Sequence, residues 1–250
     1  MLRTVTAIRY VAPLREGGSL PALVEADDDG LYVVKLRGAG QGPKALVAEV
    51  IVGVLARRLD LPVPEIVLVE LDPQLPDAEP DPEIQDLLAA SAGLNMGLDF
   101  LPGALAYTPG EEALVDPALA ARVVWLDALT ENVDRTPRNV NLLMWHRRLW
   151  LIDHGAALYR QHAGLDPANA RGPFAQIREH VLLGAAASIA EADAELAPRV
   201  TRELLADVVG EVPRDWLGEA SADDYVAYLA ARLEAPRAWV QEAEEARARS

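Results

Sequence analysis

The chain has 250 residues and a formal net charge of −16; half of its residues are apolar, a quarter are charged, and none is cysteine. This globular composition without thiols excludes a disulfide framework and a thiolate metal site, and the negative charge disfavours non-specific binding to nucleic acid. The longest apolar run, residues 181–190, is about half of a membrane span and predicts a buried helix, and no signal-peptide pattern opens the chain. We therefore expect a cytoplasmic protein without a membrane segment.

The first part of the chain is rich in strand patterns. Residues 72–86 hold six acids, four prolines and no base, which predicts a solvated loop. A helix is predicted where Pro43 opens an apolar stretch that a Leu-Pro pair ends. The predicted elements are strands over 4–11, 20–27, 30–38 and 63–71, a helix over 43–62, and a strand leading into a connector over 94–107.

The second part is helical, with one interruption. A hairpin pattern over residues 139–153 separates predicted helices, and Pro236 breaks the last of them. A β-rich first part and a helical second part predict an α+β fold of two lobes, with one lobe over 1–103, the other over 104–250 and a cleft between them. The predicted helices cover residues 117–131, 173–188, 197–209 and 221–247.

Lys35 and Glu49 are unusual for their surroundings. The chain has 21 arginines but only two lysines, and one of these, Lys35, lies within an apolar strand. Fourteen residues later, Glu49 lies on a helix that is apolar almost all round, which predicts burial. A buried carboxylate needs a partner, and Lys35 on the neighbouring strand is the natural one. The alternative is that Lys35 reaches the surface and Glu49 faces water.

Glycines surround the same strand. Gly17 and Gly18 precede it, and Gly38, Gly40 and Gly42 follow it. Backbone amides in such loops can cradle phosphates because no Cβ blocks close approach. The spacing matches neither the Walker nor the dinucleotide-binding pattern, so by themselves these glycines are better explained as ordinary turns.

Three polar residues flank the predicted hairpin. Pro137 ends the preceding helix, which leaves Asp134 in a loop, while Asn139 enters the first strand and Asp153 ends the second. Hairpin geometry brings Asn139 and Asp153 together, with Asp134 near both. A carboxylate and a carboxamide oxygen suit Mg²⁺, and a separate loop carboxylate suits acceptance of a hydroxyl proton. Each residue alone also fits a simple turn role.

In this order, Lys35, Glu49, "DRTPRN" and "IDHG" resemble the protein-kinase-like superfamily, and more closely the HipA-like kinases. The resemblance implies a protein-kinase-like two-lobe fold, β-rich with one helix in the first lobe and mainly helical in the second. It places Lys35 on the phosphates of ATP, Gly17 and Gly18 in the phosphate loop, and Glu49 where it holds Lys35. It also implies Asp134 as the catalytic base and Asn139 and Asp153 as Mg²⁺ ligands. The implied activity is phosphoryl transfer from ATP to a hydroxyl acceptor, with protein serine or threonine as one acceptor class.

The motifs also depart from the pattern of protein kinases. Val133 precedes the candidate base, Thr136 stands where relatives carry a lysine or histidine, and the metal motif reads "DHG". Arg135 and Arg138 are candidates for the missing positive charge. A pseudokinase that binds ATP or partners without transfer is the alternative function, and nucleotidyl transfer is a third. The acceptor and the oligomeric state are not readable from the sequence, and a toxin role does not follow from the resemblance.

Overall fold

A computed structural model gives the fold and describes residues 1–14, 20–40, 42–73, 75 and 79–250. It contains both strands and helices, in the mixed α+β arrangement that the sequence predicts. In chain order these are β1 (Thr4–Pro13), β2 (Ala22–Ala26), β3 (Leu31–Lys35), α1 (Pro43–Arg58), β4 (Ile66–Leu71), α2 (Pro82–Ala90), β5 (Gly93–Asp99), β6 (Leu105–Ala106), α3 (Pro117–Leu129), β7 (Leu142–Trp145), β8 (Arg148–Leu151), α4 (Ile189–Leu196), α5 (Arg202–Val209), α6 (Ala222–Leu233) and α7 (Ala238–Arg247).

Five strands close into a barrel in the order β1-β2-β3-β5-β4. β1 and β4 pair in parallel, and the other neighbours are antiparallel. Alternate residues of each strand face the interior, where Val5, Val24, Val34 and Val69 form part of a small core of their own. The register places Lys35, the last residue of β3, opposite Met96 of β5.

Helix α1 is buried on nearly every side. All its residues from Leu46 to Ala56 are buried, because the helix packs between β4 and β5 of the barrel and the later helix α5. Pro43 begins it, and Arg57 and Arg58 in its last turn complement the helix dipole. Any polar side chain along its middle must therefore find its partner inside the protein.

A second, three-stranded sheet follows, in the order β6-β7-β8. Leu142 of β7 pairs with Leu151 of β8, and Trp145 pairs with Arg148. The two connecting residues, His146 and Arg147, both have positive φ, 49° and 62°, as a two-residue type I′ turn requires. The predicted hairpin is confirmed over a shorter span, with Leu142 and Leu151 as its outermost pair. Asn139 and Asp153, predicted at the ends of its strands, therefore lie just outside them.

The helix predicted over residues 173–188 is wrong. The structure has two 3₁₀ helices there, Ala175–Glu179 and Leu183–Ala185. Backbone N–H groups that an α-helix would use form hydrogen bonds with residues distant in the sequence instead. Val181 N–H donates to the Arg135 carbonyl at 3.0 Å, and Ala187 N–H donates to the Pro117 carbonyl at 2.9 Å. The buried helix predicted over 181–190 fails for the same reason.

Other boundaries also differ from the prediction. The acidic segment 72–86 is a loop only in part, because α2 begins at Pro82 and buries Ile84 and Leu88. The helix predicted over 197–209 is a 3₁₀ turn followed by α5. The break at Pro236 is confirmed, since α6 and α7 lie on either side of it. Within the described residues, no helix has the length and apolarity to span a membrane.

Candidate active site

Lys35 and Glu49 meet between β3 and α1. Lys35 is buried and Glu49 is completely so. Nζ of Lys35 donates a hydrogen bond to Oε1 of Glu49. The pair exists because α1 leaves Glu49 without access to water, and an unpaired buried carboxylate is strongly unfavourable. The alternative in which Lys35 reaches the surface is therefore wrong.

Asp153 joins this pair from the segment after β8. Nζ of Lys35 also donates to Asp153 Oδ1, at 2.6 Å. Asp153 has a φ of 55°, in the left-handed region that Asp tolerates better than most residues. The next backbone N–H, that of His154, donates to Glu49 Oε2 at 2.9 Å. One lysine and one glutamate thus tie β3, α1 and this segment together.

These three charges shift the pKa values of one another. Burial disfavours charge on Lys35, but attraction to Glu49 and Asp153 outweighs it, so the pKa of Lys35 is raised. Burial raises the pKa of Glu49 to about 7 against the pull of Lys35. Burial acts on Asp153 too, yet Lys35 overcomes it and lowers the pKa of Asp153 to about 2. Asp153 therefore carries a full negative charge at neutral pH, while Glu49 is partly protonated.

Replacing Glu49 with glutamine should remove one pH-dependent contribution to stability. Because the pKa of Glu49 is higher in the folded than in the unfolded protein, its contribution is complete below the unfolded value of 4.5 and is lost as the pH rises through about 7. From about pH 5 to about pH 8, the free energy of unfolding of the wild type should thus fall relative to that of Glu49→Gln. Urea denaturation at both pH values measures this; a constant difference would contradict the pKa assignment.

Asp134 and Asn139 form a second polar group in the loop after α3. Nδ2 of Asn139 donates to Asp134 Oδ2 at 2.6 Å, and the backbone N–H of Asp134 donates to Asn132 Oδ1 at 3.1 Å. Thr136 and Asn139 exchange two backbone hydrogen bonds, which closes the loop tightly. Burial raises the pKa of Asp134, and the hydrogen bond from Asn139 opposes that rise.

Both groups line one cavity of about 570 Å³, a size typical of small-molecule sites. The structure brings together every described candidate residue: Lys35, Glu49, Asp134, Asn139 and Asp153. Gly17 and Gly18 lie outside the described residues, so their place in a phosphate loop stays a prediction. The rest of the lining includes Gly40, Gly42, Ala45, Ala106, Leu142 and Ile152.

The donors around the cavity suit a magnesium ion. Asn139 engages Asp134 through its amide nitrogen, and no described residue forms a hydrogen bond with its Oδ1. The side chain of Asp153 is 38% exposed. No group of three or more His, Cys, Asp or Glu in the described part of the chain has the arrangement of a metal site. Mg²⁺ is commonly held by one or two carboxylates together with substrate phosphates, so this sparse set fits it.

The two arginines predicted as candidates for positive charge lie in different surroundings. Arg135, a candidate for positive charge towards ATP, is 1% exposed and bonds Asp127 inside the protein, so that role is wrong. Arg138 is exposed. His180 is also buried and bonds the same Asp127. His154 is buried, with its Nδ1 3.2 Å from Nη2 of Arg135.

Asp127 is absent from the predicted site residues, although the sequence contains a signal for it. It is a single acid near the end of the apolar helix α3, where every residue from Val123 to Leu129 is buried. Glu49 was found from the same kind of signal on α1. An acid within an otherwise apolar helix therefore corresponds to a buried charge in both cases.

A family model described as HipA-like kinase matches residues 7–235. The chain belongs to the HipA-like kinase family. Its fold is similar to the crystal structure of the Helicobacter pylori proinflammatory kinase CtkA, with a TM-score of 0.58 and 11% identity over 100% of this chain and 99% of that one. At this identity the likeness shows the shared fold alone. No curated protein matches the chain in sequence. Membership of this HipA-like family supports a kinase-type function.

Proposed function

We propose that the protein is an ATP- and Mg²⁺-dependent phosphotransferase acting on a hydroxyl acceptor. The observation that carries this proposal is the convergence of Lys35, Glu49 and Asp153 with Asp134 and Asn139 on one cavity. The proposal includes a two-lobe organisation, with residues 1–103 and 104–250 on either side of the site. Phosphoryl transfer depends chiefly on positioning and electrostatics, which these residues can supply.

Each side chain has a role that follows from its surroundings. Lys35, held by Glu49, presents its ammonium to the phosphates of ATP. Asp153 and Oδ1 of Asn139 would hold Mg²⁺, which supplies positive charge against the phosphate oxygens when bound. Despite burial, attraction to Lys35 holds the pKa of Asp153 low, so this side chain stays negatively charged, as a carboxylate ligand of Mg²⁺ must be.

Asp134 is the proposed general base. Its Oδ2 is occupied by Asn139, which orients the carboxylate and leaves Oδ1 to accept the proton of the acceptor hydroxyl. As that proton moves, the acceptor oxygen bonds to the γ-phosphorus and the bond between that phosphorus and ADP breaks. Burial raises the pKa of Asp134, which makes it a better base near neutral pH.

A thermal-shift titration with ATP, with and without Mg²⁺, tests the proposal on the wild type and on Asp153→Ala. A ligand that binds only the folded state adds about 2.7 kcal/mol at a hundredfold excess over Kd. We expect an upward shift that requires Mg²⁺ and is lost in Asp153→Ala, while the matched control Asp166→Ala, at an exposed carboxylate, keeps it.

The other outcomes separate the competing functions. If ATP raises the melting temperature equally with and without Mg²⁺, and no group is transferred from ATP to any acceptor, the protein would be better described as a pseudokinase. The mass added to an acceptor distinguishes phosphoryl from nucleotidyl transfer. No shift in folded wild-type protein would contradict nucleotide binding at this cavity.

A further inference from the structure

We infer that Arg135 is the positioning residue that holds the segment carrying Asp134 in register with the segment carrying Asp153, an inference that rests on the proposed function. Arg135 directly follows Asp134 but faces away from the cavity, into the protein, and is 1% exposed. It lies at the contact between the two segments.

The guanidinium of Arg135 bonds both segments at once. Its Nη1 donates to the carbonyl of Asn141 and to that of Ile152, at 3.2 Å, and Ile152 directly precedes Asp153. Its Nη2 lies 3.2 Å from Nδ1 of His154, directly after Asp153. Because Asp153 is flanked on both sides by contacts of one rigid, planar group, its position relative to Asp134 depends on that group.

A buried anion below Arg135 keeps the guanidinium in place. Nε of Arg135 donates to Asp127 Oδ2 at 2.6 Å, and Asp127 also accepts from Asn132 Nδ2 at 3.1 Å and from His180 Nε2 at 2.9 Å. Nδ1 of His180 accepts from the backbone N–H of Leu182 at 3.1 Å. One neutral tautomer of His180 therefore satisfies both of its contacts, and the charge of Asp127 balances that of Arg135.

The sharpest test compares Arg135→Lys with Arg232→Lys. Arg232 is equally buried and bonds three backbone carbonyls, those of Ala128, Leu129 and Ala170, but it contacts neither segment. A lysine keeps the charge and loses the planar fork, so both variants should lose thermal stability. Only Arg135→Lys should lower kcat, by about 100-fold, as expected for a displacement of roughly 1 Å at the reacting groups. Its KM for the acceptor should stay unchanged, and its half-saturating Mg²⁺ concentration should rise.

Hydrogen–deuterium exchange of residues 134–142 and 152–155 provides a readout that does not need catalysis. Exchange should rise there in Arg135→Lys and not in Arg232→Lys, so it decides the inference even if the wild type transfers no phosphate and the proposed function fails. Asp127→Asn, which touches neither the Asn141 nor the Ile152 carbonyl, should show the same pattern more weakly and replaces Arg135→Lys if that variant does not fold. Equal kcat, Mg²⁺ dependence and exchange in the two arginine variants would overturn the inference.

Discussion

We expect Asp134→Asn to lower kcat by about 10² to 10⁴, the usual contribution of a general base. The substitution keeps the size of the side chain but removes its capacity to accept a proton from the acceptor. Binding of ATP with Mg²⁺ should persist, because Asp153 and Lys35 are untouched. Steady-state kinetics of phosphoryl transfer, together with the thermal shift produced by ATP, measure the two effects separately.

A matched control for this variant is Asp166→Asn. Asp166 is exposed and, like Asp134, accepts a hydrogen bond from a nearby asparagine, Asn169 Nδ2 at 3.0 Å, but it lies outside the cavity lining. Its kcat should equal that of the wild type. An Asp134→Asn variant with unchanged kcat would show that another group accepts the proton, or that the acceptor hydroxyl needs no base.

Lys35→Met should have the largest effect on stability. It leaves Glu49 buried without a cation, and breaking a buried ion pair by removing one partner costs about 3–5 kcal/mol. The loss should be smaller at low pH, because Glu49 then holds a proton and carries no charge to compensate. Denaturant unfolding at low and high pH measures the loss of stability and its dependence on pH. The stabilisation that ATP gives to the wild type should be lost as well.

Lys44→Met is the natural control, since these are the only two lysines of the chain. Nζ of Lys44 donates to the carbonyl of Gln161 at 2.9 Å, at a half-buried position. Because the donor is charged but only half-buried, loss of this hydrogen bond should cost about 1.5 kcal/mol, the lower end of the range for charged groups. If the two lysine variants were equally stable, the buried pair would contribute no more to the free energy of unfolding than the single hydrogen bond of Lys44.

The candidate site was largely predictable because several of its residues are polar at positions where the local pattern predicts burial. Lys35 in an apolar strand and Glu49 on an apolar helix are polar residues where burial is expected, and such residues need partners. Asp134 and Asn139 are five residues apart and interact within one loop. Local spacing alone could bring them together, and the tight hairpin turn carried the chain back to Asp153.

The helical second part was harder to predict, for a physical reason. The apolar composition of residues 181–190 is compatible with a helix, but backbone donors there are taken by carbonyls distant in the chain, such as that of Arg135. Helix α4, in contrast, has a local start signal in the sequence that the predicted elements do not include. Ser188 accepts from the backbone N–H of Glu191, an N-cap readable from the sequence.

The polar residues at buried positions, the mixed α+β class and the hairpin can be read from the sequence, because each depends on local pattern and burial. The folding of the whole chain selects the partners of those side chains. It turned Arg135 inward to Asp127, joined Asp153 to Lys35, and placed Gly155 where an added Cβ would lie 3.0 Å from Glu49 Oε1. Contacts between residues about a hundred positions apart have no local signature, because they depend on how α1, α3 and the hairpin pack.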